Sequence, residues 1–121
     1  MTKWRRVILA AVLFTTTSSV ALGADARGDA RKWVDFGITV AQRGLWREAI
    51  YRWEKATELD PTYASAFNNL AVGYEHEGQM DKARQAYEKA IALAPKDQQI
   101  RQNYELFREI HDRMVADKET P

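Results

Sequence analysis

The chain of 121 residues contains no cysteine. A disulfide framework, a thiolate metal site and a cysteine nucleophile are thereby excluded. Histidine is nearly absent too: His76 and His111 stand 35 residues apart, and no HExxH spacing, P-loop or GxGxxG motif occurs. Glu75-His76-Glu77 sets three polar groups in a row, but consecutive helical residues point about 100° apart and do not converge on one ion. Acid pairs such as Glu54 and Glu58 sit beside Arg52 and Lys55, an ordinary pattern of solvated helix charge. With three prolines and six glycines there is no room for a long low-complexity linker. At 45% hydrophobic and 29% charged residues, the expectation is one modest globular domain. It is expected not to be an enzyme, with no cofactor and no metal site.

Long apolar runs are missing except at the start. MTKWRR carries Lys3, Arg5 and Arg6 without an acid, VILAAVLF follows at residues 7–14, and TTTSSVALGA leads into small residues. Basic, apolar, then small and neutral is the layout of a secretory signal peptide, expected over residues 1–23 with the cut before Ala24. The dense run is much shorter than the roughly 20 residues a spanning helix needs. A periplasmic or secreted protein is expected; if the leader were retained, it would be an inner-membrane anchor. Without residues 1–23 the formal charge drops from +1 to −2, because the leader holds three basic residues and no acid. A nucleic-acid binder keeps a basic stripe, so nucleic acid is not an expected partner.

Past a short linker at residues 24–29, the pattern is helical. Trp33, Phe36, Gly37 and Val40 fall at i, i+3, i+4, i+7 and share one face, as do Ala49, Ile50, Trp53 and Ala56. Gly44 and Gly78 are placed to stop helices, and Asp60-Pro61 and Ala94-Pro95 read as helix starts. Phe67, Leu70, Ala71 and Tyr74 make a third face, and Ala83, Tyr87, Ala90 and Ile91 a fourth. No segment alternates with the period of a strand, so the expected class is all-α.

The second pair of helices copies the first at an interval of 34 residues. Residues 30–63 align with 64–97, matching Trp33 with Phe67, Phe36 with Leu70, Gly37 with Ala71 and Val40 with Tyr74. The match continues through Ala49 with Ala83, Trp53 with Tyr87, Ala56 with Ala90 and Pro61 with Pro95. This resembles the tetratricopeptide repeat, a helix–turn–helix unit with the pattern W-x2-L-G-x2-Y, then A-x3-F, then P. The resemblance implies an α-α superhelix of two repeats. Small residues let the helices of a pair approach, and bulky ones fill the gaps between pairs. Ile100, Tyr104, Phe107, Ile110 and Met114 form an apolar stripe on a third segment, 98–116, expected to cap the stack with Arg101, Glu105, Arg108 and Asp112 toward water. Residues 117–121 read as a flexible tail.

The resemblance also implies a concave groove for protein ligands, lined by the first helix of each repeat. Carried over position by position, the groove residues are Arg31, Val34, Ile38 and Gln42, then Asn68, Asn69, Val72 and Glu75, then Gln102 and Leu106. Val34, Ile38, Val72 and Leu106 would form an apolar strip, unless they are core. The basic clamp that some relatives use for terminal carboxylates is missing, since of Val34, Ile38, Asn69, Gln99 and Asn103 only Asn69 fits it. The expected protein is a small exported bacterial interaction module, an adaptor or assembly factor of the cell envelope. Its rivals are a self-associating structural unit, which makes it a possible homo-oligomer, and a non-catalytic regulatory subunit of an envelope enzyme.

Overall fold

The structure, a computed structural model, describes residues 19–120. The expected leader lies outside the described residues as far as Ser18, and so does the last residue of the expected tail, Pro121. Five helices follow in order: α1 Ser19–Ala41, α2 Trp46–Leu59, α3 Ala64–His76, α4 Met80–Leu93 and α5 Gln98–Glu119. Among the described residues there is no strand, and the chain is all-α. No described helix is long and apolar enough to cross a membrane.

Two glycines close the hairpins α1–α2 and α3–α4. Gly44 has φ 77° and Gly78 φ 73°, a region where a side chain is strained. This left-handed step lets Leu45 N–H reach back to the Val40 carbonyl and Gln79 N–H to the Tyr74 carbonyl, satisfying groups left over at a helix end. The same device serves both hairpins, as the 34-residue recurrence implies.

The proline-marked junctions differ from expectation. Asp60 caps the end of α2, donating its backbone N–H to the Ala56 carbonyl, and α3 begins only at Ala64. Ala94 likewise ends α4, and Asp97 is the residue that caps α5, accepting from Ile100 N at 3.1 Å. The proline ring suits a turn as well as a first helical turn, and the Asp60 carboxylate decides for the turn by accepting from Thr62 N at 3.0 Å and Thr62 Oγ1 at 2.6 Å. Arg27 adds a charged hydrogen bond to the same carboxylate and lays its guanidinium over Tyr63. Residues 24–29, expected as linker, are therefore helical, and Arg27 ties α1 to the α2–α3 turn.

Asp60 is buried, which works against its charge, yet the hydrogen bonds from Thr62 and Arg27 outweigh that and hold its carboxyl below the usual range. A carboxyl with a lowered folded pKa stabilises the fold above its unfolded pKa and loses that contribution as pH falls through the folded value. Asp60→Asn is expected to cost about 1.5–3 kcal/mol near neutrality, the range for a charged hydrogen bond. The difference from the parent should shrink in acid, below the normal aspartate pKa. Urea titrations at neutral and acid pH check both the size and the sign.

Trp53 is the largest side chain of the core and is 2% exposed. Its indole crosses the bare backbone of two other helices. A Cβ on Gly37 would sit 2.3 Å from Trp53 Nε1, and one on Gly73 would sit 3.0 Å from Cζ3 and 2.7 Å from Ile50 Cγ1. The indole N–H donates to the Val34 carbonyl at 3.2 Å. Small residues around this crossing, Ala49, Ala56 and Ala71, are all buried. In the second hairpin Tyr87 takes the corresponding place beside Ala83 and Ala90, and its hydroxyl donates to Glu75 Oε2. Burial, and then that carboxylate, push the Tyr87 phenol well above its usual pKa; Tyr74, bonded to Glu54 at 2.7 Å, is raised in the same way.

Helix α5 closes the stack with only its first half. Ile100 and Phe107 are buried, and Tyr104 and Phe107 pack with their ring centres 5.8 and 5.3 Å from that of Tyr87. Ile110 and Met114, expected in the same stripe, are 48% and 45% exposed. Helix α4 still runs alongside there, since Arg84 pairs with Asp112 at 3.5 Å, but Ile110 and Met114 lie on a face of α5 that the described chain leaves open. The helix continues to Glu119 rather than stopping at 116, and residues 112–120 are all exposed. Phe36 at the opposite edge is also a correction, at 47% exposed, because among the described residues no helix precedes α1 to cover it. The Arg52 guanidinium stacks 3.7 Å from its ring centre instead.

Candidate functional site

Helices α1, α3 and α5 present equivalent positions to one side of the stack, and the expected groove residues separate into distinct groups there. Ile38, Gln42, Asn69 and Val72 come together, joined by Ala41, Trp46 and one edge of Trp53, around an open recess of about 280 Å³. None of these seven side chains is charged. Ile38 is 36% exposed and Val72 half-buried, so both show apolar surface to solvent. The volume is below the usual range for a small-molecule cofactor pocket and suits one or two aliphatic side chains.

Val34 is the clear correction. It is 2% exposed and lies in the core, its carbonyl holding the Trp53 indole. Arg31, Gln102 and Leu106 are exposed, on the outer helices of the row. Asn68 accepts from Asn103 Nδ2 at 3.1 Å, which links α3 to α5. Asn69 donates to the Ser65 carbonyl at 2.8 Å along its own helix. Glu75 is engaged by the Tyr87 hydroxyl, so its charge serves the packing of α3 on α4.

Trp46 escaped the sequence reading because it sits at the first turn of α2, outside the helices that line the groove in the repeat pattern. The signal available was a large aromatic directly after the Gly44-Leu45 stop, a place where no core position is required. Its ring stacks on His76 with centroids 3.6 Å apart and planes 6° apart. Arg47 and Glu77 pair at 3.4 Å next to this stack. Together these contacts fix the rim where the first hairpin meets the second.

A family model described as a domain of unknown function, DUF6340, matches residues 36–114. The chain belongs to this family. The DUF6340 match begins at Phe36 and ends at Met114, so it takes in the Trp53 crossing, the recess and the packed half of α5. A curated relative, the type IV pilus assembly protein PilF of Pseudomonas aeruginosa, is 33% identical over 82 residues. That stretch is 68% of this chain and 32% of the relative, so the chain spans about a third of the protein it resembles. Similarity of this kind fits helical repeats and, loosely, a protein-interaction role.

Proposed function

We propose that this DUF6340 protein is a non-catalytic, tetratricopeptide-type module that binds a protein partner in the recess between α1 and α3. It would act as an adaptor or assembly factor in the bacterial cell envelope, exported by its leader. The observation that carries the reading is the uncharged recess itself: Ile38 and Val72 expose aliphatic surface between amide side chains, on helices held rigid by the Trp53 crossing. Exposed apolar surface rimmed by polar groups is what an interaction site offers. Likeness to a pilus assembly protein supports an assembly role, with pilus biogenesis one such setting.

The test is a pull-down from the native envelope with wild type and Val72→Arg. The substitution places a charge in the apolar recess at a half-buried site, so the fold is expected to survive. Capture of the native partners should fall by tenfold or more, since burying an unpaired charge costs several kcal/mol, about 1.4 per tenfold. Partners retained at full strength would refute the groove reading. A second reading, self-association, is favoured by the exposed aromatic edge at Phe36 and Tyr51. Sedimentation at high micromolar concentration separates the two, because a strict monomer removes self-assembly.

A further inference from the structure

On the side of α3 away from the recess, we infer that the protein carries a second binding site, for an acidic peptide segment with one large apolar side chain between two carboxylates. The site is an open slot of about 290 Å³ where α3 meets α4. Phe67 and Tyr74 line it from α3, and Lys82, Gln85, Ala86 and Lys89 from α4. It shares no residue with the recess, and Val72 stands about 140° round α3 from Phe67. The four α4 residues fall at i, i+3, i+4 and i+7, one face of the helix. Ala86 is short and buried at the foot of that wall, and Phe67 opposite is only half-buried. Lys82 and Lys89 mark the two ends, about 10 Å apart along the helix axis. Their ammonium groups lie 5.6 Å from the centre of the Tyr74 ring and 5.9 Å from that of Phe67. Neither is in an ion pair with any described residue. The nearby acids are engaged elsewhere: Glu54 accepts from the Tyr74 hydroxyl at 2.7 Å, and Glu88 from the Tyr104 hydroxyl at 3.1 Å.

The first hairpin serves as an internal control. The places of Lys82, Gln85, Ala86 and Lys89 are taken 34 residues earlier by Glu48, Tyr51, Arg52 and Lys55. There the charges answer one another within α2. Arg52 pairs with Glu48 at 2.7 Å and Lys55 with Glu58 at 2.9 Å, and the Arg52 guanidinium lies over Phe36. On α4 the first charge is reversed to lysine, the arginine is cut back to Ala86, and the counterpart of Glu58 is Ala92. The same helical frame thus holds together without an open, doubly cationic slot, and only the second hairpin has one. Each lysine carries three donors, so two without partners are complementary to two carboxylates. The ring surface between them offers contact to an apolar group. The volume is below the range for a small-molecule pocket and fits one phenylalanine or leucine side chain, which selects a peptide segment over a free small ligand.

The probe is an unlabelled glycine- and serine-based peptide with one phenylalanine flanked by two glutamates. It is titrated into the isotope-labelled full chain and followed by NMR. The amide signals of Phe67, Tyr74, Ala86 and Lys89 should shift and saturate, while those of Ile38 and Val72 stay in place. Glutamine for both glutamates of the peptide should weaken binding by about tenfold, the effect of two partly screened ion pairs, and Lys82→Gln with Lys89→Gln should do the same. Both lysines are exposed, so the far-UV circular dichroism of that variant should be unchanged. Alanine for the phenylalanine of the peptide should weaken binding by at least about tenfold. Added salt should weaken it as well. Val72→Arg should leave this binding intact, which separates the slot from the recess and lets either reading fail without the other. Absence of saturation by about 1 mM peptide would overturn the inference. So would equal binding of the glutamine peptide, or binding of phenylacetate as tight as that of the peptide. Self-association by sedimentation that disappears in the double lysine variant would give the slot to a second copy of the chain, and would overturn it too.

Discussion

Trp53→Ala is expected to remove about 3–5 kcal/mol of stability, the range for deleting a large aromatic from a packed core. That is a major share of the 5–15 kcal/mol that holds a domain together. The loss has two parts. The indole fills the crossing of α1, α2 and α3, where Gly37 and Gly73 supply no side chain to collapse into the hole. Its N–H also satisfies the Val34 carbonyl inside the core. A urea melt followed by circular dichroism at 222 nm should show a much lower midpoint, or a chain unfolded before denaturant is added. Trp53→Phe keeps most of the ring and gives up the hydrogen bond, so it should fall between the two. A midpoint for Trp53→Ala within experimental error of the parent would mean the crossing does not hold the hairpins together.

Two glycines of the same helix should answer the same substitution with opposite signs. Gly37→Ala is expected to cost about 1–3 kcal/mol, because the new Cβ overpacks a filled site. The atom it meets is the nitrogen of a buried ring, 2.3 Å away, rather than the free end of a flexible chain. Gly28→Ala meets nothing within 4 Å and should gain about 0.5–1 kcal/mol from lower unfolded-chain entropy and better helix propensity. Thermal melts resolve this, since 1 kcal/mol moves the Tm of a domain this size by roughly 4–8 °C. If both substitutions raise the Tm, the close approach of α1 to Trp53 is wrong.

The parts of this architecture legible in the sequence were those fixed by size. Gly37, Ala49, Ala71 and Ala83 had to be small wherever two helices touch, and all four are buried; Trp53 and Tyr87 had to be large, and both fill crossings. Gly44 and Gly78 were legible for a backbone reason, the left-handed turn each one makes. What escaped depends on neighbours that a one-dimensional pattern does not contain. Phe36 carries the same pattern as the buried Leu70, but among the described residues no helix precedes α1 to cover it. Ile110 and Met114 continue the stripe in sequence but fall on a face of α5 that no described helix covers. Asp60-Pro61 serves a helix start and a turn equally well until Thr62 and Arg27 are seen to converge on the carboxylate.

The recess was half legible. Ile38, Gln42, Asn69 and Val72 follow from the repeat register, because their helices are the ones that recur on a common side. Val34 shares that register but turns inward, since the first helix of the stack packs its inner face on Trp53. Trp46 lies off the register altogether and is placed by the turn that Gly44 makes. The rim contact between Trp46 and His76 could only be found once both hairpins were in position.

The platform beneath the recess exists only if the Trp53 indole is sealed between the hairpins. Hydrogen exchange of the indole N–H groups, followed by NMR and assigned with Trp53→Phe, tests this most directly. The Trp53 proton should persist and exchange only when the whole domain unfolds, while those of the more open Trp33 and Trp46 are lost far sooner. Exchange of the Trp53 proton as fast as theirs would contradict the account.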